Sequence, residues 1–301
     1  MAHYLDPKND LTFKRVFGEH KHLCMSLINS MLPLEKPIVD LEYQTGELLP
    51  DIPGLRNSIV DVRCIDADKR QFIVEMQLHY SEFFKSRVLL NASKAYVSQL
   101  DKGKSFKLLQ PVYALNFVNE IFEKSPEKKD EYYHYYKIVN IKDTEKQIKG
   151  LEFLFIELPK FKPSNRAEKK LHELWLRFLT EINECTREAP QELLDNELTR
   201  EAIHYMEVAA YTKDQLDAYD QVKIDIMTVH GLLPYERAEG RAEGITEGIA
   251  KGKAEGRAEG KAEEKLKIAK KLLTKGASIE EVSDLTGLSK QQIEELKIKF
   301  M

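Results

Sequence analysis

Asp61 and Glu75 are the two residues of this chain whose types and spacing are best suited to shared chemistry. They lie in SIVDVRCIDADKRQFIVEMQLH, residues 58–79, where two alternating segments flank a short charged turn. Alternation of this kind is the mark of half-buried strands. In the second segment Phe72, Val74, Met76 and Leu78 point one way, and Ile73, Glu75, Gln77 and His79 the other. In the first, Asp61 shares a side with Ile59 and Arg63, opposite Val60, Val62 and Cys64. Side chains repeat every second residue, so a hairpin of these strands brings Asp61 close to Glu75 on one face. Two carboxylates forced together repel unless a cation or a shared proton neutralises them. Hard oxygen donors suit Mg²⁺, which keeps several waters and also takes phosphate oxygens, so the pattern points to a phosphodiester-cleaving metal site. The same two acids also fit the solvent face of an ordinary hairpin, and spacing alone leaves both readings open.

Several elements must hold that hairpin. Residues 11–32 read as one helix ending before Pro33, with Asp10 as its N-cap because Leu11, Phe13, Val16 and Phe17 begin an apolar helical pattern. Residues 38–48 read as a first strand, with Val39, Leu41 and Tyr43 on one face. A long amphipathic helix is expected over 81–100, with Gly103 in a terminating position after it. YYHYYKIVNI at 132–141 is aromatic enough to stack on bases, but aromatics also favour strands, and a strand is the expectation. After Pro163 the character turns helical, with Leu171, Leu174, Trp175, Phe178 and Leu179 at helical spacing.

The order of these pieces resembles the PD-(D/E)XK nuclease family transposases, also called recombination-promoting nucleases. The matching segments are DPKNDLTFKRVFG at 6–18, the Asp61 strand, IVEMQ at 73–77 and a helix carrying Arg87 and Tyr96. Gly103, PVYALNF at 111–117 and LEFLFIELPKF at 151–161 complete the set. The resemblance implies an α/β, restriction-endonuclease-like core, a mixed sheet flanked by helices, with an α-helical C-terminal extension. It implies that Asp61 and Glu75 hold a metal, Mg²⁺ with Mn²⁺ as a substitute, joined by the backbone carbonyl of Met76. The third position of the motif is usually Lys and here is Gln77, which orients through its amide without supplying charge. A further acid often comes from the first helix of such folds; the candidates are Asp10, then Glu19. Arg87 either reaches a phosphate near the metal or pairs with a carboxylate.

At 301 residues the chain has room for more than one module, with 42% hydrophobic and 32% charged residues. Its net charge of −4 is not that of a protein coating nucleic acid nonspecifically. DNA contact would then come from local patches, either Lys102, Lys104 and Lys107 or Lys160, Lys162, Arg166, Lys169 and Lys170; either patch also fits a solvated face. Three scattered cysteines, Cys24, Cys64 and Cys185, lack metal-ligand spacing and fit a reducing cytoplasm. No secretory signal and no membrane span is expected, and the eight histidines form no zinc motif.

The expected organisation is a nuclease-like core at 1–162, a helical extension at 163–235, a Gly/Glu/Lys-rich linker or helix at 236–263 and a small helical module at 264–301. In the third segment Gly240, Gly244, Gly248, Gly252, Gly256 and Gly260 fall every four residues. Each glycine costs a helix about 1 kcal/mol against alanine, while charged pairs return only about 0.2–0.5 kcal/mol each. The array reads as a linker that turns helical on association, a route to homo-oligomers. In the last segment Ser278 with Glu281, and Ser289 with Gln292, fit the capping box. Two short helices at about 279–285 and 290–298, joined at Thr286-Gly287-Leu288, read equally as a DNA-reading helix-turn-helix or a packing hairpin.

Two functions follow, with a purely structural oligomer driven by the glycine array as a third reading. The first is a metal-dependent DNA endonuclease linked to recombination or mobile elements. The second is a nuclease-fold protein that binds DNA or a partner without cutting. Convergence of Asp61 and Glu75 favours the first; a salt bridge from Arg63 or Arg87 filling that space favours the second.

Overall fold

The computed structural model describes residues 4–48, 58–100, 103, 105–163 and 170–300. Contacts divide the chain into Met1–Ile224 and Asp225–Met301. The first unit opens with α1 (Asp10–Phe13), a π-helical turn (Lys14–Gly18) and α2 (Lys21–Met31). Six strands then form one sheet: β1 (Leu41–Gln44), β4 (Val62–Asp66), β5 (Gln71–Gln77), β6 (Val112–Val118), β7 (Tyr133–Asn140) and β8 (Asp143–Glu157). Their spatial order is β1-β4-β5-β6-β8-β7, and β2 (Glu47–Leu48) with β3 (Ser58–Ile59) makes a separate short pair. β5, β6 and β8 run parallel, with antiparallel neighbours at both edges. This is the mixed, helix-flanked sheet of the restriction-endonuclease-like class.

The parallel centre must be covered on both faces. On β5, Phe72 and Val74 join one apolar cluster, while Ile73 joins the other. The β5-to-β6 crossover carries α3 (Phe84–Val97), whose buried Phe84, Val88, Ala92 and Ala95 cover the second face. The first face is covered by the N-terminal helices and by α4 (Leu171–Glu181), followed by α5 (Gln191–Asp195) and α6 (Glu197–His204). Trp175 and Phe178 are fully buried, with ring centroids 5.4 and 6.3 Å from Phe17. The helices from Leu171 onward therefore complete the core instead of extending from one that ends at 162.

Other differences are local. The single helix expected over 11–32 breaks at Glu19 and His20. Its cap is Asn9, whose side chain accepts from the Leu11 N–H at 3.0 Å; Asp10 is the first helical residue. The strand expected over 38–48 is confined to β1 and β2, and Val39 is exposed. α3 ends at Val97, so Gly103, at φ +88°, serves a later turn instead of the helix terminus.

A long helix, α7 (Lys213–Thr274), begins in the first unit and runs unbroken through the glycine array, so the segment read as a linker is helical in the single chain. In the second unit α7 is followed by α8 (Ile279–Thr286) and α9 (Lys290–Phe300). Ala269, Leu273, Val282 and Ile293 are the buried residues of its core. Ser278 and Glu281 form the capping box, and the same reciprocal bonds join Ser289 and Gln292. Gly287 takes φ +68° between α8 and α9, the left-handed turn that glycine adopts without strain.

Candidate metal centre

Asp61 does not lie within a strand. It follows β3 by two residues and precedes β4 by one. The β4–β5 ladder pairs Val62 with Val74, so the next step of the pattern sets Asp61 beside Glu75 and Met76. Its carboxylate accepts the Met76 N–H at 2.8 Å, which fixes it next to Glu75. Gly46 makes this approach feasible: its carbonyl accepts from Val60 N–H at 3.0 Å, and a Cβ there would lie 2.5 Å from the Val60 carbonyl oxygen.

The electrostatics of the pair are unfavourable as they stand. Burial is the main force pushing the Asp61 carboxyl up to about 7; the Met76 N–H opposes it, Glu75 and Asp10 add repulsion, and Lys14 relieves part of it. Glu75 is 5% exposed, and burial raises it too, against the pull of Arg87 and a hydrogen bond from Asn91. Lys14, the cation acting on Asp61, is itself paired with Asp10 at 2.7 Å.

Arg87 stands at Glu75 with its Nη2 3.6 Å from Oε2, and the same nitrogen donates to Gln77 Oε1. Gln77 Nε2 donates to the His79 carbonyl, so its amide is engaged at both ends. Arg63 is directed elsewhere, to Gln71 Oε1 at 3.0 Å. Asn91, which the sequence reading passed over, donates from Nδ2 to Glu75 Oε1 at 3.1 Å. Its signal was a polar residue on the stripe that α3 otherwise buries as Phe84, Val88, Ala92 and Ala95. Glu19 acts on Tyr43 and Tyr211 rather than on this pair.

The donor set suits a divalent cation held by few protein groups. Among the described residues no three His, Cys, Asp or Glu side chains are arranged to hold a metal. Two neighbouring acids remain, a set that could hold a divalent cation through one or two carboxylates with water filling the rest.

Two lysines of the second basic patch are engaged within the chain. Lys160 is buried against Glu157 at 2.7 Å, and Lys162 pairs with Asp130 at 2.7 Å. Lys107 is exposed, while Lys102, Lys104, Arg166 and Lys169 lie outside the described residues.

Comparison with known proteins decides the family. A model described as PD-(D/E)XK nuclease family transposase matches residues 7–226. The chain belongs to this family. A second model, described as Rpn/YhgA-like nuclease family, C-terminal HTH domain, matches residues 262–297, the segment that holds α8 and most of α9. No curated protein and no solved structure matches. Membership ties the chain to nucleases of recombination and mobile elements, and the C-terminal match favours the helix-turn-helix reading over a packing hairpin. No helix among the described residues is long and apolar enough to cross a membrane.

Proposed function

We propose that the chain is a divalent-metal-dependent DNA endonuclease that hydrolyses phosphodiester bonds at Asp61 and Glu75. The observation that carries this reading is the pinning of Asp61 to the Met76 N–H beside Glu75, with both carboxyls raised by burial. Neighbouring carboxyls perturbed by burial are a signature of functional sites. Asp61, Glu75 and the Met76 carbonyl would hold Mg²⁺, or Mn²⁺ in its place. When bound, such an ion neutralises charge on the scissile phosphate and makes water a nucleophile near neutral pH.

The remaining work falls to the chain. Burial and the Met76 N–H keep Asp61 in one orientation. Arg87, with its side chain 52% exposed, balances Glu75 in the free protein and is free to swing onto a phosphate oxygen once that carboxylate is otherwise neutralised. Gln77 carries no charge and positions through its amide alone. α8 and α9 would contact DNA near the start of α9, where Gln291 is exposed and Lys290 is paired with Glu280 at 2.8 Å.

A second reading, DNA binding without cleavage, draws on one observation: Arg87 already occupies the space beside Glu75 and Gln77. Supercoiled plasmid incubated with Mg²⁺ or Mn²⁺ separates the two. Nicking by the wild type, lost in Asp61→Ala and in Glu75→Ala, is the expected outcome. An intact plasmid under both ions, or variants that cut as well as the wild type, would transfer the argument to the binding protein.

A further inference from the structure

On the β5 side facing α3, Glu75 has one neighbour whose presence packing does not explain. Asn91 is 1% exposed and is the only polar residue among those that α3 buries. Its Nδ2 donates to Glu75 Oε1 at 3.1 Å, while its Oδ1 is buried without a hydrogen-bond partner. An orphaned buried carbonyl is costly, and a leucine of similar size would fill the same space without it. The next candidate donor is spent. Asn116 stands beside Glu75 in the β5–β6 register, but its Nδ2 donates to the carbonyls of Ala114 and Leu154 at 3.0 and 3.1 Å.

We propose that Asn91 is the positioning residue of the metal centre, holding Glu75 Oε1 so that Oε2 remains turned out for the cation it shares with Asp61. The role rests on the metal-centre reading above. Arg87 and Asn91 are one helical turn apart on α3, and each contacts a different oxygen of Glu75. α3 thus controls both oxygens of this carboxylate. The arrangement is that of an outer hydrogen bond orienting a ligand, whose loss typically costs about 10–100-fold in metal affinity or activity.

The test is calorimetric titration of Mn²⁺ into the full-length, metal-free protein without DNA, for wild type, Asn91→Leu and Asp61→Ala. Asn91→Leu trades the orphaned Oδ1 for an unpaired Glu75 Oε1 and is expected to melt near the wild-type temperature, yet to bind Mn²⁺ about 10–100-fold more weakly. In plasmid nicking its kcat should fall while KM for DNA stays put. Should leucine prevent folding, Asn91→Ala, which only removes atoms, carries the same measurements. A folded Asn91 variant with wild-type Mn²⁺ affinity overturns this inference alone. A wild type that binds no Mn²⁺, and so cannot be told from Asp61→Ala, overturns the metal-centre reading and this inference with it.

Discussion

Glu75 and Glu157 stand at the same end of one sheet, both buried, and they have opposite electrostatic fates. The ladder pairs Gln77 with Val118 and Val118 with Glu157, so the two glutamates are separated by little more than one strand. Burial pushes Glu157 up, but Lys160, the Glu123 N–H, His134 and the Phe122 N–H outweigh it and hold the carboxyl below its usual value. Lys160 in turn donates to the carbonyls of Glu123 and Lys128 at 2.7 and 3.0 Å. That network closes on itself and pins the 119–131 loop. Around Glu75 and Asp61 the accounting is left open: both carboxyls are raised, and the nearest guanidinium is half exposed. Burial alone does not mark a site. What distinguishes the two is whether the protein supplies all the partners itself.

The contrast is broken most sharply by activity. Glu75→Gln keeps shape and volume, and should reduce metal-dependent nicking by more than about 100-fold, since even outer-shell changes cost 10–100-fold, while leaving the urea midpoint at or above that of the wild type. A Glu75→Gln protein that nicks plasmid normally would place Glu75 with Glu157, as a structural acid. Gly46→Ala attacks the same function through the backbone. The added Cβ would displace the Val60 carbonyl and with it Asp61, and a misplacement near 1 Å can cost about 100-fold. Single-turnover nicking measures that loss.

Glu157 should answer in stability. Glu157→Gln removes the carboxylate that the buried Lys160 ammonium contacts, a change that costs about 3–5 kcal/mol. Chemical denaturation followed by tryptophan fluorescence reads it directly, because the chain's one Trp, Trp175, lies in the main core of the same unit. The pH dependence follows from the lowered carboxyl. The stability Glu157 contributes is present above its unfolded value of 4.5 and is lost as pH falls through the lower folded value. A wild-type advantage over Glu157→Gln that persists undiminished at pH 2.5 would contradict the network.

Only part of this difference could be read from the chain. Alternation in residues 58–79 announced the strands and the approach of Asp61 to Glu75, because a two-residue period is a local property. Lys160, by contrast, looked like a member of a basic surface patch. A lysine reads the same exposed or buried until the carbonyls that receive it are known, and they come from the 123–131 stretch, about thirty residues or more away. Arg87 was visible as a helical cation near the site, yet its choice between carboxylate and phosphate depends on the crossover geometry of α3. Trp175 and Phe178 gave a clear helical stripe, but the face they cover belongs to Phe17, far off in sequence. Asn9 took the cap expected of Asp10 because both are good caps and one residue of register separates them.

The pH dependence of Asp61 has the sign that separates the two carboxyl centres most cleanly. Asp61 is raised from 3.8 to about 7, so the folded chain holds a proton that the unfolded chain has already released. Its contribution to stability is therefore greatest below pH 3.8, and falls as pH rises toward 7. Asn lacks that titration and still offers an oxygen to the Met76 N–H. Asp61→Asn should accordingly melt level with the wild type near pH 4 and above it at pH 8, by about 2–4 °C for each kcal/mol relieved. Glu157→Gln shows the reverse, its deficit greatest near neutrality and shrinking in acid. Added Mn²⁺ should erase the Asp61→Asn advantage at pH 8, because the ion stabilises the wild-type pair and finds one carboxylate fewer in the variant. Melting curves at the two pH values, with and without Mn²⁺, decide the matter; an Asp61→Asn protein less stable than wild type at pH 8 without metal would mean that Asp61 is a satisfied structural acid like Glu157.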